Sequence, residues 1–196
     1  KYENLMKQYK SLKGKPGYAF YNVFVISSLV ISDPEVLNKA NISKFNAIDN
    51  YIYDYAQKKK NFKEVEGIEF QMKLLTELSG DYSETILDNL ANKEMVIKNA
   101  KEDLDAYYSG NTQYYEDGQN LLINQFKQLN DNDKEKYEKY WNILLYNRNI
   151  HMKDTLINSI NNGKHDFMGI GCKHIYGKKG IIQLLKDDGY LVECMK

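Results

Sequence analysis

Residues 164–194 read KHDFMGIGCKHIYGKKGIIQLLKDDGYLVEC, and their pattern decides the expected fold. Residues 164–171 mix apolar and polar positions over a short run and read as a strand. Residues 172–176 read as a loop. Within 178–186, Ile181, Ile182, Leu184 and Leu185 supply one apolar face, which reads as a helix closed by Gly189. Residues 190–194 (YLVEC) read as a closing strand. A strand–loop–helix–strand unit favours parallel pairing through its crossover helix. The expected fold class is therefore a helix-rich α/β domain over residues 1–196. It would have a small mixed sheet, a C-terminal β-loop-α-β unit and a large helical insertion.

Moving upstream, residues 134–161 read as one long helix opened by Asp133 and closed by Gly163. Residues 118–129 and 69–78 read as further helices. Asp81 and Glu84 form a D-x-x-E capping box, which predicts a new helix running to about residue 108. Residues 61–65 read as a short strand. Ile48, Ile52, Tyr55 and Ala56 recur at helical spacing. Residues 18–31 (YAFYNVFVISSLVI) suit either a strand or a buried helix, and Pro34 suits the first turn of the next helix. Residues 2–12 read as helical.

Composition narrows the function. Of the 196 residues, 27 are Lys or Arg and 27 are Asp or Glu, so the formal net charge is zero. A general nucleic-acid binder needs a basic face to release counterions, and this balance argues against one. Mean hydropathy is −0.64, and no apolar run reaches the length of about 18 residues that a spanning helix needs. Cys172 and Cys194 are too few for a disulfide framework, and no C-x-x-C is present. Residues 130–133 (NDND) lack the Gly and terminal Glu of a calcium loop.

Arg148 is the single arginine in a lysine-rich chain. Arginine differs from lysine where a carboxylate or phosphate is gripped by two prongs, so a lone Arg points to such a grip. His174 stands in a glycine-rich loop, Gly171-Cys172-Lys173-His174 followed by Gly177 and Gly180. At a strand's carboxyl end such a His is placed to ligate a metal or move a proton. Glu66, after the 61–65 strand, is a candidate ligand or general base. His151, His165 and Cys172 read as structural residues.

These residues together resemble the TraB/GumN family, which includes the Tiki proteases and is related to the erythromycin-esterase-like fold. The quoted features are Arg148-Asn149 on a helix, Gly171-Cys172-Lys173-His174, the run His174 to Ile181, and Gly189-Tyr190-Leu191-Val192. Upstream, Ala47 to Ile52, Val65-Glu66 and Phe70-Gln71 correspond to further family patterns. The resemblance implies a metal-dependent peptidase or related hydrolase acting on a peptide or protein. His174 and Glu66 would bind a divalent metal (Mn, Co or Zn), with Glu66 as ligand or base. Arg148 would bind an oxyanion or a substrate carboxylate. The rival implication is a non-catalytic module that binds a peptide pheromone, or a degenerate homologue. The family's first G-x-x-H is not found in this sequence, which suggests an N-terminally truncated domain of weak activity. A homodimer would cover the sheet edge so exposed. Family members are often exported or membrane-associated, which leaves the compartment open, an extracytoplasmic or membrane-associated full-length protein being one reading.

Overall fold

The structure, a computed structural model, describes residues 1–14, 22–42, 48–59, 63–118, 131–163 and 167–195. The chain divides into two compact units, residues 1–48 with 68–110 and residues 49–67 with 111–196.

The first unit is built of helices α1 (Tyr2–Gln8), α2 (Val23–Ile31), α3 (Pro34–Lys39), α5 (Ile68–Ala91) and α6 (Lys93–Ser109), with a 3-10 turn at Lys10–Leu12. The ambiguous 18–31 stretch is helical from Val23 onward, because Asn22 caps it by accepting from the Phe24 N–H at 2.8 Å. Val23, Ile26 and Val30 recur on one face and are buried with Leu5, Tyr9, Leu12, Val36, Leu87 and Leu90. Truncating a fully buried leucine such as Leu5 costs about 2–5 kcal/mol. Two helices were expected across 69–108, broken at the D-x-x-E box. Instead α5 passes through that box without a break. The break comes at Asn92, whose side chain accepts from the Met95 N–H at 3.1 Å and starts α6. Gly110, at φ 65, ends α6 in the left-handed conformation that favours glycine.

The second unit holds α4 (Ile48–Lys59, bar its first residue), α7 (112–118), α8 (Asp131–Trp141), α9 (Asn147–Asn161) and α10 (Ile181–Asp187). The long helix expected over 134–161 forms, with α8 joined to α9 through a π-helical turn at Asn142–Tyr146. Helix is already present at Asp131, so Asp133 lies inside α8 and does not cap it. Gly163, at φ 68, follows α9 as expected. Met152, Ile181 and Leu185 form the buried core, covered by Val65, Leu156, Ile157, Ile170, Tyr190 and Val192.

The expected α/β class is wrong: there is no strand among the described residues. Residues 63–65, 167–171 and 190–195 are non-helical but make no ladder with one another. The described parts of these segments do alternate between inward and exposed positions. Met168 and Ile170 turn partly inward while Phe167 and Gly169 are exposed; Tyr190 and Val192 turn inward while Leu191 and Glu193 are exposed. Alternation requires only an extended segment lying on an apolar surface, and here α9 and α10 provide that surface. A sheet also requires neighbouring backbones to pair, which a side-chain pattern does not encode. The expected helix over 118–129 and His165 fall almost wholly or wholly outside the described residues.

Candidate functional site

The site lies in the second unit, where α9 meets the loop that precedes α10. Its first element is the π-helical turn. There the Asn147 N–H bonds the Asn142 carbonyl, five residues back rather than four. The extra residue rotates all later side chains by about 100° relative to an unbroken α-helix. Arg148 and Asn149 are the first residues of α9 to exploit the new phase.

Arg148 reaches Glu66. Its Nε donates to Oε1 at 2.8 Å and its Nη2 to Oε2 at 2.7 Å, a two-pronged grip. Its Nη1 donates to the Leu144 carbonyl within the π turn at 3.0 Å. The Glu66 side chain is 5% exposed and that of Arg148 16%. Glu66 is held on its backbone side as well: His151 Nε2 donates to the Val65 carbonyl at 3.0 Å. His151, one turn after Arg148, therefore ties the same segment to α9. A guanidinium has five N–H bonds. Three are used here, and the other two have no partner among the described residues.

His174 ends a 3-10 turn, Cys172–His174, whose closing bond runs from the His174 N–H to the Gly171 carbonyl at 2.9 Å. Its ring is buried, with 8% exposure. Nδ1 lies 2.6 Å from Oδ1 of Asn149. Burial first, then the charge of Arg148, push the imidazole down to about 4, against the opposing pull of Glu66. His174 is therefore uncharged at neutral pH. At Gly171 an added Cβ would sit 3.7 Å from the ring Cδ2. That edge of the ring thus faces a position with no side chain.

Gly180 has a different task. A Cβ there would lie 2.3 Å from the Tyr176 carbonyl oxygen and 2.5 Å from that of Ile175. Only glycine lets the chain turn this tightly into α10. The turn brings the Lys179 carbonyl to Asn149, and the Lys179 ammonium over the Tyr146 ring at 4.3 Å.

The structure thus brings the three expected residues to one place. Glu66 and Arg148 are bonded to each other, and both act electrostatically on His174. Asn149 is fully buried; the sequence shows it beside Arg148 but gives it no role of its own. The available signal was the Arg148-Asn149 pair itself; a lone arginine drew the reading to one half of it. Cys172 is a free, half-buried thiol, and the neighbouring imidazole turns its Nδ1 to Asn149 instead.

The expected divalent metal is tested by its donors. His174 offers one neutral ring nitrogen, whereas both oxygens of Glu66 accept from Arg148. A catalytic ion needs about three protein ligands. Among the described residues, no three His, Cys, Asp or Glu side chains converge. Among the described residues, His174 and Glu66 are thus fewer donors than such an ion takes. No helix among the described residues is long and apolar enough to cross a membrane.

The chain matches the TraB/PrgY/gumN family over residues 1–194. No curated protein and no solved structure is significantly similar to it. The family match spans nearly all of the sequence, including Glu66, Arg148-Asn149 and the His174 loop: the chain belongs to the TraB/PrgY/gumN family.

Proposed function

We propose that this protein hydrolyses peptide bonds, with His174 and Arg148 meeting the substrate and Glu66 holding Arg148. The observation that carries this reading is a buried, uncharged imidazole beside a buried two-pronged ion pair. An imidazole held at about 4 is in its proton-accepting form at any pH near neutrality. His174 takes a proton from a water molecule as the water oxygen bonds to the scissile carbonyl carbon. Arg148 turns its two remaining N–H bonds toward the oxyanion that forms. As the C–N bond breaks, the proton passes from His174 to the leaving amine. Glu66 fixes the guanidinium and balances its charge, so no reorganisation is needed when the oxyanion appears.

Incubating the purified protein with a mixture of unmodified peptides, with mass-spectrometric detection of products, tests this. Cleavage is expected, abolished in His174→Gln and reduced by about 10²–10³ in Arg148→Lys, which loses the two-pronged geometry. Peptide binding without any cleavage would instead support a binding module in which Arg148 grips a peptide carboxylate. Parallel reactions with a chelator, or with added Mn²⁺, Co²⁺ or Zn²⁺, show whether turnover depends on a metal.

A further inference from the structure

Asn149 is fully buried and has two partners. Its Nδ2 donates to the Lys179 carbonyl at 2.7 Å, and its Oδ1 lies 2.6 Å from His174 Nδ1. A backbone carbonyl can only accept, so the end of the amide that faces Lys179 is the NH2 group. The end facing His174 is then the oxygen, which also only accepts. His174 Nδ1 must therefore carry the proton. A neutral imidazole has a single N–H, so the lone pair lies on Nε2. The opposite tautomer would set two lone pairs against each other at this distance in a buried site.

We propose that Asn149 is a positioning residue that locks His174 in its Nδ1–H tautomer, so that the ring always presents a bare Nε2 to the reacting groups. This rests on the reading that His174 works through Nε2. Nε2 has no hydrogen-bond partner among the described residues. It is also not one of the fully enclosed unpartnered side-chain atoms among the described residues. Nε2 is bonded to Cδ2, the ring atom that faces the bare Gly171. The lock is anchored from behind. The Lys179 carbonyl fixes which way the amide points, and the close turn at Gly180 fixes that carbonyl. One turn of α9 therefore performs two tasks: Arg148 grips Glu66, and Asn149 sets the ring.

The test is the tautomer itself, read by long-range ¹H–¹⁵N correlation spectra of the labelled full chain at neutral pH. The chain has 3 histidines, so the His174 signals are those lost in His174→Gln. The expected spectrum shows a protonated Nδ1 and an unprotonated Nε2. Asn149→Asp still presents an accepting oxygen to His174, and its protonated carboxyl can donate to the Lys179 carbonyl, so Nδ1 stays protonated. Asn149→Leu removes the acceptor, and the preference for Nδ1–H falls by about tenfold, the worth of one buried hydrogen bond. A protonated Nε2 with a bare Nδ1 in the natural chain overturns the proposal, as does an unchanged preference in Asn149→Leu. Should Asn149→Leu fail to fold, the natural chain and Asn149→Asp decide, a bare Nδ1 in either being fatal. None of these spectra needs a substrate. Failure of the tautomer lock is thus separable from failure of the hydrolase reading, which turnover reports.

Discussion

Glu66 and Arg148 stand 82 residues apart in the chain and are joined by two parallel hydrogen bonds of 2.8 and 2.7 Å. Such a pair is poor evidence of net stabilisation, because taking both charges out of water offsets most of their attraction. Its value is geometric. It pins the loop after Val65 to α9, and it aims the remaining N–H bonds of the guanidinium. Removing one partner alone leaves a charge buried without compensation.

That asymmetry gives the first prediction. Glu66→Ala is expected to destabilise the protein by about 3–5 kcal/mol. Arg148→Lys keeps the charge but cannot make both bonds, and is expected to lose less than Glu66→Ala. The double substitution Glu66→Ala with Arg148→Met should cost less than the sum of its parts, since no lone charge remains. Urea unfolding of the natural chain, Glu66→Ala, Arg148→Met and the double variant gives the coupling, with Arg148→Lys compared beside them. A loss below about 1 kcal/mol for Glu66→Ala would mean the pair is solvated, as an exposed pair would be.

Stability should also depend on pH through His174. Its ordinary value is 6.5, and in the folded chain it lies at about 4. Above 6.5 neither state is protonated and the contribution is fully present. Between 6.5 and 4 the unfolded chain binds a proton that the folded chain refuses, so stability falls as the pH drops. The slope approaches about 1.4 kcal/mol per pH unit, for a total on the order of 3 kcal/mol. His174→Gln removes this group's share. Comparing urea midpoints of both proteins at about pH 7 and about pH 4.5 checks it. Equal slopes in the two proteins would place the His174 ring in solvent.

Local signals were legible in the sequence where side chain and backbone speak to the same neighbour. Asp33 before Pro34 caps α3, and Gly163 ends α9, as their residue types demand. Glu66, Arg148 and His174 were legible as residues of one kind of chemistry. Their mutual bonding was not, because it depends on a π turn at Asn142–Tyr146 that no residue type announces. The sheet was misread for a related reason. Tyr190 and Val192 alternate with Leu191 and Glu193 in the way a strand would, yet the apolar surface below them is helical. Asp81 and Glu84 carried a helix-start signal that α5 overrides, because the chain still has Leu87 and Leu90 to bury on the same helix.

The two motif glycines beside His174 are predicted to respond differently to alanine. Gly180→Ala places a methyl group 2.3 Å from a backbone oxygen, and backbone cannot move aside cheaply. A loss of about 1–3 kcal/mol is expected, with α10 disturbed. Gly171 has an ordinary backbone, φ −62, and its added methyl would meet only Cδ2 of His174 at 3.7 Å. Gly171→Ala should therefore change stability by less than about 0.5 kcal/mol. A large side chain there, as in Gly171→Leu, should lower turnover with little effect on folding, since it would cover the ring edge. Equal destabilisation by the two alanines in thermal unfolding would refute this division of tasks.

Asp33 offers a test within the first unit. It is fully buried, and its two oxygens accept from the Ser11 N–H at 2.8 Å and the Glu35 N–H at 3.0 Å. Burial alone would raise its pKa. The two backbone donors, with help from the Ser11 side chain and Lys93, outweigh it and hold the carboxyl below its ordinary 3.8. Asp33→Ala strands two N–H groups and removes the cap of α3, for an expected loss of about 2–4 kcal/mol. Asp33→Asn keeps one accepting oxygen and should recover about half of it. The sign with pH follows from the lowered value: the carboxylate's contribution is present above 3.8 and fades as the pH falls below it. Asp33→Asn should lack that acid-side fall. Urea unfolding at neutral and acid pH distinguishes the three proteins, and an Asp33→Ala protein as stable as the natural one would mean that water reaches both amides.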